Sequence, residues 1–280
     1  MARLGKNCYG KSRVRLSRIT RHADRHDFDE WTVRVLLEGD FDASFAEADN
    51  SKVLPTDTMK NTVYYVARGS KAAAIEEFAT ELGDYFLSHH SHIARVVIGI
   101  EQKAWERVAT GGVAEPATFK LGGPEMQTVQ AAREQAGAWS IQSGVDRLTL
   151  LKTTKSAFTG YLQDKLTTLK PATDRILGTC ATVKWEYATP SPDYAQARAR
   201  ILAALLKTFA GHDSMSVQHT LFDMGKAALE AAPEIARVRL IMPNLHHLLA
   251  DLSPFGLDNP NHIFVPVDEP HGYIEATVER

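Results

Sequence analysis

Apolar residues recur at every second position in several short stretches of this chain. Trp31, Val33, Val35 and Leu37 do so within 28–38, followed by Ala94, Val96, Ile98 and Ile100. Ala181, Val183, Trp185 and Tyr187 repeat the pattern, as do Val238, Leu240 and Met242, and residues 262–267 and 272–278 read as two more strands. Such alternation gives each strand one apolar and one polar face, the pattern of antiparallel sheet buried on one side. Three stretches change period. Ile75, Phe78, Leu82 and Tyr85 mark 71–88; Ile201, Leu202, Leu205, Leu206 and Phe209 form a wide stripe in 193–210; Val217, Leu221, Met224 and Ala228 mark 216–231. Each predicts an amphipathic helix, the last with Ser214 or Ser216 as its N-cap. The Gly- and Pro-rich stretch 111–127 predicts hairpin loops around a short strand, Ala117–Lys120.

The order of strands and helices predicts an α+β fold. A faint internal match adds a duplicated unit. Thr56–Thr62 (TDTMKNT) aligns with Thr173–Thr179 (TDRILGT), and the same offset lays 71–88 over 188–205. Two tandem domains are expected, 1–138 and 139–280, each of ordinary domain size.

Composition narrows the function. Lys and Arg total 32 against 34 Asp and Glu, a net charge of −2, without the basic surplus of a nucleic-acid-binding protein. No apolar run approaches the ~18–20 residues of a membrane helix. The first residues carry charge but no apolar signal core. Cys8 and Cys180 are too few for a disulfide framework, which fits a reducing cytoplasm. The residues Thr277–Arg280 are not a Ser-Lys-Leu peroxisomal address, so a cytoplasmic, bacterial setting is expected.

General catalytic signatures are missing. There is no phosphate loop, no dinucleotide-binding glycine fingerprint, no Gly-x-Ser-x-Gly elbow and no Cys-x-x-Cys pair. His89-His90-Ser91-His92 lacks a carboxylate or thiolate at ligand spacing, and it stands just past a helix end, where histidines meet free carbonyls. His246 and His247 are adjacent, so on a strand they point to opposite faces. No metal site is expected.

A series of segments carries a stronger signal: Tyr9–Arg15 (YGKSRVR), Leu54–Tyr64 (LPTDTMKNTVY), Lys155–Phe158, Thr167–Lys170, Thr173–Leu177, Ser216–Gln218, Met242–His247 (MPNLHH) and Asp268–Gly272. Together, in this order, they resemble the urate oxidase (uricase) family over essentially the whole chain. The resemblance implies two tandem tunnelling-fold (T-fold) domains, each an antiparallel sheet with helices on one face. It implies a tunnel-forming homotetramer with active sites at subunit interfaces. The implied reaction oxidises urate with dioxygen to 5-hydroxyisourate and hydrogen peroxide. Urate and dioxygen are the implied partners, with no cofactor, metal, nucleic acid or membrane.

The resemblance also assigns roles. Phe158 matches the residue that stacks on the flat urate ring, against the alternative of a core aromatic. Arg175 matches the clamp arginine, whose planar donors suit a carbonyl and an anionic nitrogen; the alternative is an ion pair with Asp174. Gln218 matches the amide that reads the opposite edge, and Val217 would give its backbone N–H from a helix start. Lys11 and Thr56 match the residues that remove a second proton from urate, Lys11 as base and Thr56 as hydroxyl relay. Their plain alternatives are a solvated strand-end lysine and a Ser/Thr turn after Pro55. Asp57 would orient this loop and accept from urate. Asn244, with Thr56, would hold dioxygen or the water that replaces it. His246 would complete the relay, since a reference pKa near ~6.5 allows both protonation states. On a strand Asn244 and His246 share a face. Leu245 replaces a lysine frequent in the family and is expected to point away from the site. Two rivals stay open: another tunnelling-fold enzyme acting on a pterin or purine-like ring, and a purine-binding or scaffold protein without turnover. The Lys11–Thr56–His246 set favours an oxidase.

Overall fold

A computed structural model describes residues 2–280. The chain forms two compact units, Met1–Val145 and Asp146–Arg280. In the first, β1 (Tyr9–Arg21), β2 (His26–Gly39), β3 (Ile93–Thr110) and β4 (Val113–Glu134) run antiparallel, each beside its neighbour in sequence. A short α1 (Asp42–Ala46) follows β2, and α2 (Thr56–Gly69) and α3 (Ile75–His89) pack on the strands. The core joins the alternating face of β2 (Trp31, Val33, Val35, Leu37) to Val96, Ile98 and Ile100 of β3. Met59 and Val63 of α2 and Phe78, Leu82 and Phe86 of α3 close it. Trp31 lies 4.8 Å from the Phe78 ring and carries the Arg18 guanidinium 4.4 Å above its own ring.

Three expectations need correction here. Ala94 is exposed, because the ladder to β2 passes from Glu38↔Arg95 to Gly39↔Ile93 and leaves it as the extra residue of a bulge. Residues 111–127 are not loops around a short strand. Gly111 and Gly112, at φ +57° and +82°, make one tight turn, and the chain then runs into the 22-residue β4. Its Gly- and Pro-containing stretches, 115–118 and 122–125, fall where the pairing with β3 slips, which is where a strand tolerates them. Finally, Thr56–Thr62 is helical, whereas Thr173–Ile176 is irregular and Leu177 opens a strand. That short match is no structural repeat, although the same offset does lay α3 over a helix. The helix α2 itself escaped the periodicity reading, despite Met59, Val63 and Val66 on its buried side.

Glu30 of β2 ties three strands together. Its carboxylate accepts from Lys103 at 2.7 Å, Arg15 at 2.8 Å and the Trp105 indole at 3.1 Å. These donors, Lys103 foremost, hold its pKa at about 2. A carboxyl whose folded pKa is depressed adds stability above its unfolded value, and that stability is lost as pH falls through the folded pKa. We expect Glu30→Gln to cost roughly 1–2 kcal/mol at pH 7 after solvent screening. The difference should shrink as pH falls from about 4.5 toward about 2. Denaturant midpoints of both proteins across that range test this; a pH-independent difference would contradict it.

In the second unit, β6 (Leu177–Tyr187), β7 (Ile235–Ile241) and β10 (Glu275–Glu279) run antiparallel in that spatial order. β8 (Asn244–Leu249) pairs with the start of β6 and with β9 (Phe264–Gly272). β5 (Ser140–Lys152) precedes them, crossing the point in sequence where one unit ends and the next begins. The helices α4 (Tyr194–Gly211) and α5 (Val217–Ala231) pack on each other, and α5 packs on β7 and β10. Val183, Trp185, Leu205, Met224, Val238 and Leu240 are fully buried between them. Met242, read with that strand, lies one residue past the end of β7 and is buried too. Helix α5 comes close to β10 at Gly225, where an added Cβ would fall 2.5 Å from Val278 Cγ2. Gly225→Ala should therefore destabilise by about 1–2 kcal/mol despite alanine's better helix propensity. A chemical denaturation curve shifted to higher denaturant would refute this.

Candidate active site

The first unit gathers Lys11, Thr56 and Asp57. Lys11 is half-buried near the start of β1. The ladder to β2 runs in register to Lys11↔Val35 and resumes at Val14↔Val33, so β1 carries one extra residue. Arg13, at φ +58°, lies in that bulge. Bulges re-aim side chains at functional sites. Gly10 makes the geometry possible, since a Cβ there would sit 1.9 Å from the Val35 carbonyl oxygen. Tyr9 fastens the same strand end to the loop before α2. Its hydroxyl accepts the Leu54 N–H at 2.8 Å and donates to the Leu54 carbonyl at 3.2 Å.

Two residues on, Thr56 opens α2. Pro55, at φ −54°, precedes it, so Thr56 is a helix N1 residue rather than part of a Ser/Thr turn. The first helical bond is from the Met59 N–H to the Pro55 carbonyl at 3.1 Å, which leaves the N–H groups of Thr56 and Asp57 without intrahelical acceptors. The Asp57 carboxylate accepts from Lys60 and Asn61. Lys60 above all, and Lys11 more weakly, hold it below the usual carboxylate range. Lys11 thus lies within electrostatic reach of Asp57.

The second unit gathers the ring-binding candidates. The Ala157 N–H donates to the Ser214 carbonyl at 2.7 Å, and the Ser214 N–H to the Lys155 carbonyl at 2.9 Å. Phe158 exchanges both backbone bonds with Ala172, at 2.8 and 3.1 Å. These contacts bring Phe158, Arg175 and the start of α5 into one neighbourhood. Asp174 makes no ion pair with the Arg175 guanidinium. Its carboxylate accepts from the Thr154 hydroxyl at 2.6 Å and the Ser156 N–H at 3.3 Å, and these, Thr154 first, hold its pKa low. Arg175 makes no ion pair among the described residues. Its guanidinium carbon lies 5.2 Å from the Phe158 ring centre, and its Nε is buried without a protein partner. Burial pushes the guanidinium pKa down. Tyr161, which the motif reading did not single out, stacks on Phe158 at 4.9 Å and 11° and donates its hydroxyl to the Leu169 carbonyl at 2.6 Å. An aromatic three residues after Phe158 was the available signal.

Ser216 caps α5. Its hydroxyl oxygen accepts the His219 N–H at 3.1 Å, leaving the N–H groups of Val217 and Gln218 free of intrahelical acceptors. Val217 buries its side chain, whereas Gln218 is exposed. Ser214 braces the cap, bonding the Ser216 carbonyl at 3.1 Å and the Thr220 hydroxyl at 2.7 Å.

Asn244 and His246 lie on β8, half-buried. Asn244 pairs with Thr179 and Leu245 with Gly178, while the β9 ladder slips between Asn244↔Gly272 and His246↔Val267. An added Cβ at Gly178 would meet Leu245 Cβ at 3.5 Å and His247 Cε1 at 3.6 Å. Leu245 and His247 therefore share one face, and alternation puts Asn244 and His246 on the other. The histidines at the end of α3 follow the helix-end reading, with His89 Nδ1 at 2.8 Å from the Tyr85 carbonyl.

The chain matches the family profile described as uricase over residues 7–132 and 141–275. It is 41% identical to the uricase of Arthrobacter globiformis over 278 residues, covering 99% of this chain and 90% of that protein. It is 36% identical to the uricase of Dictyostelium discoideum, covering 100% of this chain and 98% of that protein. The crystal structure of the Arthrobacter globiformis uricase superposes with a TM-score of 0.94 at 39% identity, over 100% of this chain and 96% of that chain. A family match through both units, full-length relatives and a shared tunnelling fold agree: the chain belongs to the uricase family.

Proposed function

We propose that this chain oxidises urate with dioxygen and water to 5-hydroxyisourate and hydrogen peroxide, without a cofactor, through the residues grouped above. Membership of the uricase family supports the activity. The observation that carries the site reading is the half-buried Arg175 fork beside the Phe158 ring, its buried Nε without a partner and no carboxylate paired with it among the described residues. A flat anion with a carbonyl edge completes that arrangement. Phe158 stacks on it, Arg175 binds one edge, and Gln218 with the Val217 N–H binds the other. A site built to pair each edge rejects purines lacking those groups, because buried partners would stay unsatisfied.

Dioxygen is a triplet and urate a singlet, so direct combination is spin-forbidden. Lys11 takes a second proton from urate, relayed by Thr56 and His246. The electron-rich dianion passes one electron to dioxygen, held by Asn244 and Thr56, and the pair recombines as a peroxide at ring carbon 5. The peroxide takes up protons and leaves as hydrogen peroxide, and water adds at that carbon to give 5-hydroxyisourate. Asp57 orients the Thr56 loop and accepts from urate.

The active sites lie between copies of the chain in a homotetramer. Lys11, Thr56 and Asp57, gathered in the first unit, and Phe158, Arg175, Val217, Gln218, Asn244 and His246, gathered in the second, are the two groups that such an interface would join. Among the described residues β1 pairs only with β2, and β10 only with β7. Such open edges favour edge-to-edge assembly. The T-fold domains are 1–138 and 139–280, a division supported by the gap between the two matched stretches. No helix among the described residues is long and apolar enough to cross a membrane, and the free Cys8 and Cys180 support a cytoplasmic setting.

The test follows urate's ultraviolet absorbance in air with chelator present and peroxide assayed in parallel. Loss of urate with an equal yield of peroxide supports the reading. Urate bound but not consumed would mean a retained pocket without turnover; neither binding nor loss would leave the fold alone.

A further inference from the structure

We propose that His212, His219 and Asp223 form a binding site for a divalent transition-metal ion of the zinc class, clamping the end of α4 to the start of α5. Two helix ends meet there. His212 caps α4, donating its N–H to the Thr208 carbonyl at 2.9 Å, while its own carbonyl accepts from Lys152 at 2.6 Å. His219 and Asp223 stand four apart on α5, hence on one helical face. Asp223 Oδ2 is 3.1 Å from His212 Nδ1 and 3.7 Å from His219 Nε2. The two imidazole centres are 4.5 Å apart, and one ligand atom from each residue lies within 4.8 Å of the others.

Zinc bonds of ~2.0–2.1 Å require tetrahedral ligand atoms about 3.3 Å apart. From separations of up to 4.8 Å the trio must contract by up to about 1.5 Å to reach that spacing, and His219 and Asp223, at 47% and 35% side-chain exposure, have room to move. Two imidazole nitrogens with one carboxylate suit zinc, nickel or copper and disfavour calcium and magnesium, which take oxygen ligands. The competing reading is a carboxylate that merely bridges two rings. At 3.7 Å, however, Asp223 is too far from His219 for a hydrogen bond. A bridge through His212 alone thus leaves His219 Nε2 without a hydrogen bond to Asp223, and a metal ion between the three residues would engage it together with His212 Nδ1. The spacing was visible in the sequence as His219 and Asp223 at one helical turn, but His212 joins them only through the α4–α5 corner.

The test uses the metal-free full-length protein, titrated with Zn²⁺ by calorimetry and with Co²⁺ by visible absorption. We expect one Zn²⁺ per chain at micromolar affinity, a tetrahedral Co²⁺ spectrum, and a thermal midpoint raised by Zn²⁺ but not by Mg²⁺. His219→Ala, chosen because its side chain is exposed, should weaken binding by roughly tenfold or more and abolish the Co²⁺ spectrum. Asp223→Asn should act in the same direction. Absence of Zn²⁺ binding at millimolar concentration would overturn the proposal. So would undiminished binding in His219→Ala, which would locate the ion elsewhere among the 11 histidines.

Discussion

Replacing Lys11 with Met is expected to lower turnover by about 10²–10⁴-fold, the usual contribution of a positioned base, while urate still binds. The structure gives the lysine a reason to be more than a solvated strand end. It is half-buried, sits beside a one-residue bulge, and follows a glycine with no room for a side chain. Tyr9 ties that strand end to Leu54, so the positions of Lys11 and Thr56 depend on each other. The loss should fall on kcat and not on the urate dissociation constant, because the proton is taken in the chemical step. Gly10→Ala should produce a partial version of the same defect by disturbing the bulge. Equal turnover in wild type and Lys11→Met would remove Lys11 from the chemistry.

Arg175→Met should do the opposite to binding and little harm to stability. We expect kcat/KM for urate to fall by about 10²–10⁴-fold, since a site built to hydrogen-bond its substrate loses heavily when its donors go. Arg175→Lys should not rescue it, because an ammonium lacks the planar fork. The free protein holds a half-buried guanidinium whose Nε is buried with no protein partner. Burying such a group costs free energy, so the thermal midpoint of Arg175→Met should stay level or rise, the usual trade of stability against function. A lower midpoint with urate binding intact would mean that Arg175 is structural.

Much of the fold was legible because burial imposes a period. The alternating face of β2 and the stripes on α3, α4 and α5 are read directly from which residues the core takes, although the α4 stripe is narrower than its apolar residues suggest, with Leu202 half-buried and Leu206 exposed. What stayed hidden depends on partners distant in sequence. Ala94 looks like a core residue until a bulge opposite Gly39 turns it outward. β4 looks like loops, because its glycines and prolines sit where pairing slips, and only the partner strand shows that. α2 was obscured by the motif around Thr56, which reads as a turn after Pro55. The candidate site residues came from matched segments, with no periodicity to reveal them. The structure adds what those segments could not: the close approach at Gly10, the Tyr9 tether, the Tyr161 ring on Phe158, and Asp174 engaged away from the Arg175 guanidinium.

The most direct test asks whether two copies of this chain build each active site. Lys11→Met and Arg175→Met subunits, each inactive alone, would be mixed by unfolding and reassembly or by co-expression, and urate oxidation measured. If one copy gives Lys11 and another gives Arg175, hybrids contain sites with both native residues, and random pairing should restore roughly one quarter of wild-type activity. No recovery, from hybrids shown to have formed, would mean that a single chain supplies both residues and would contradict the shared site.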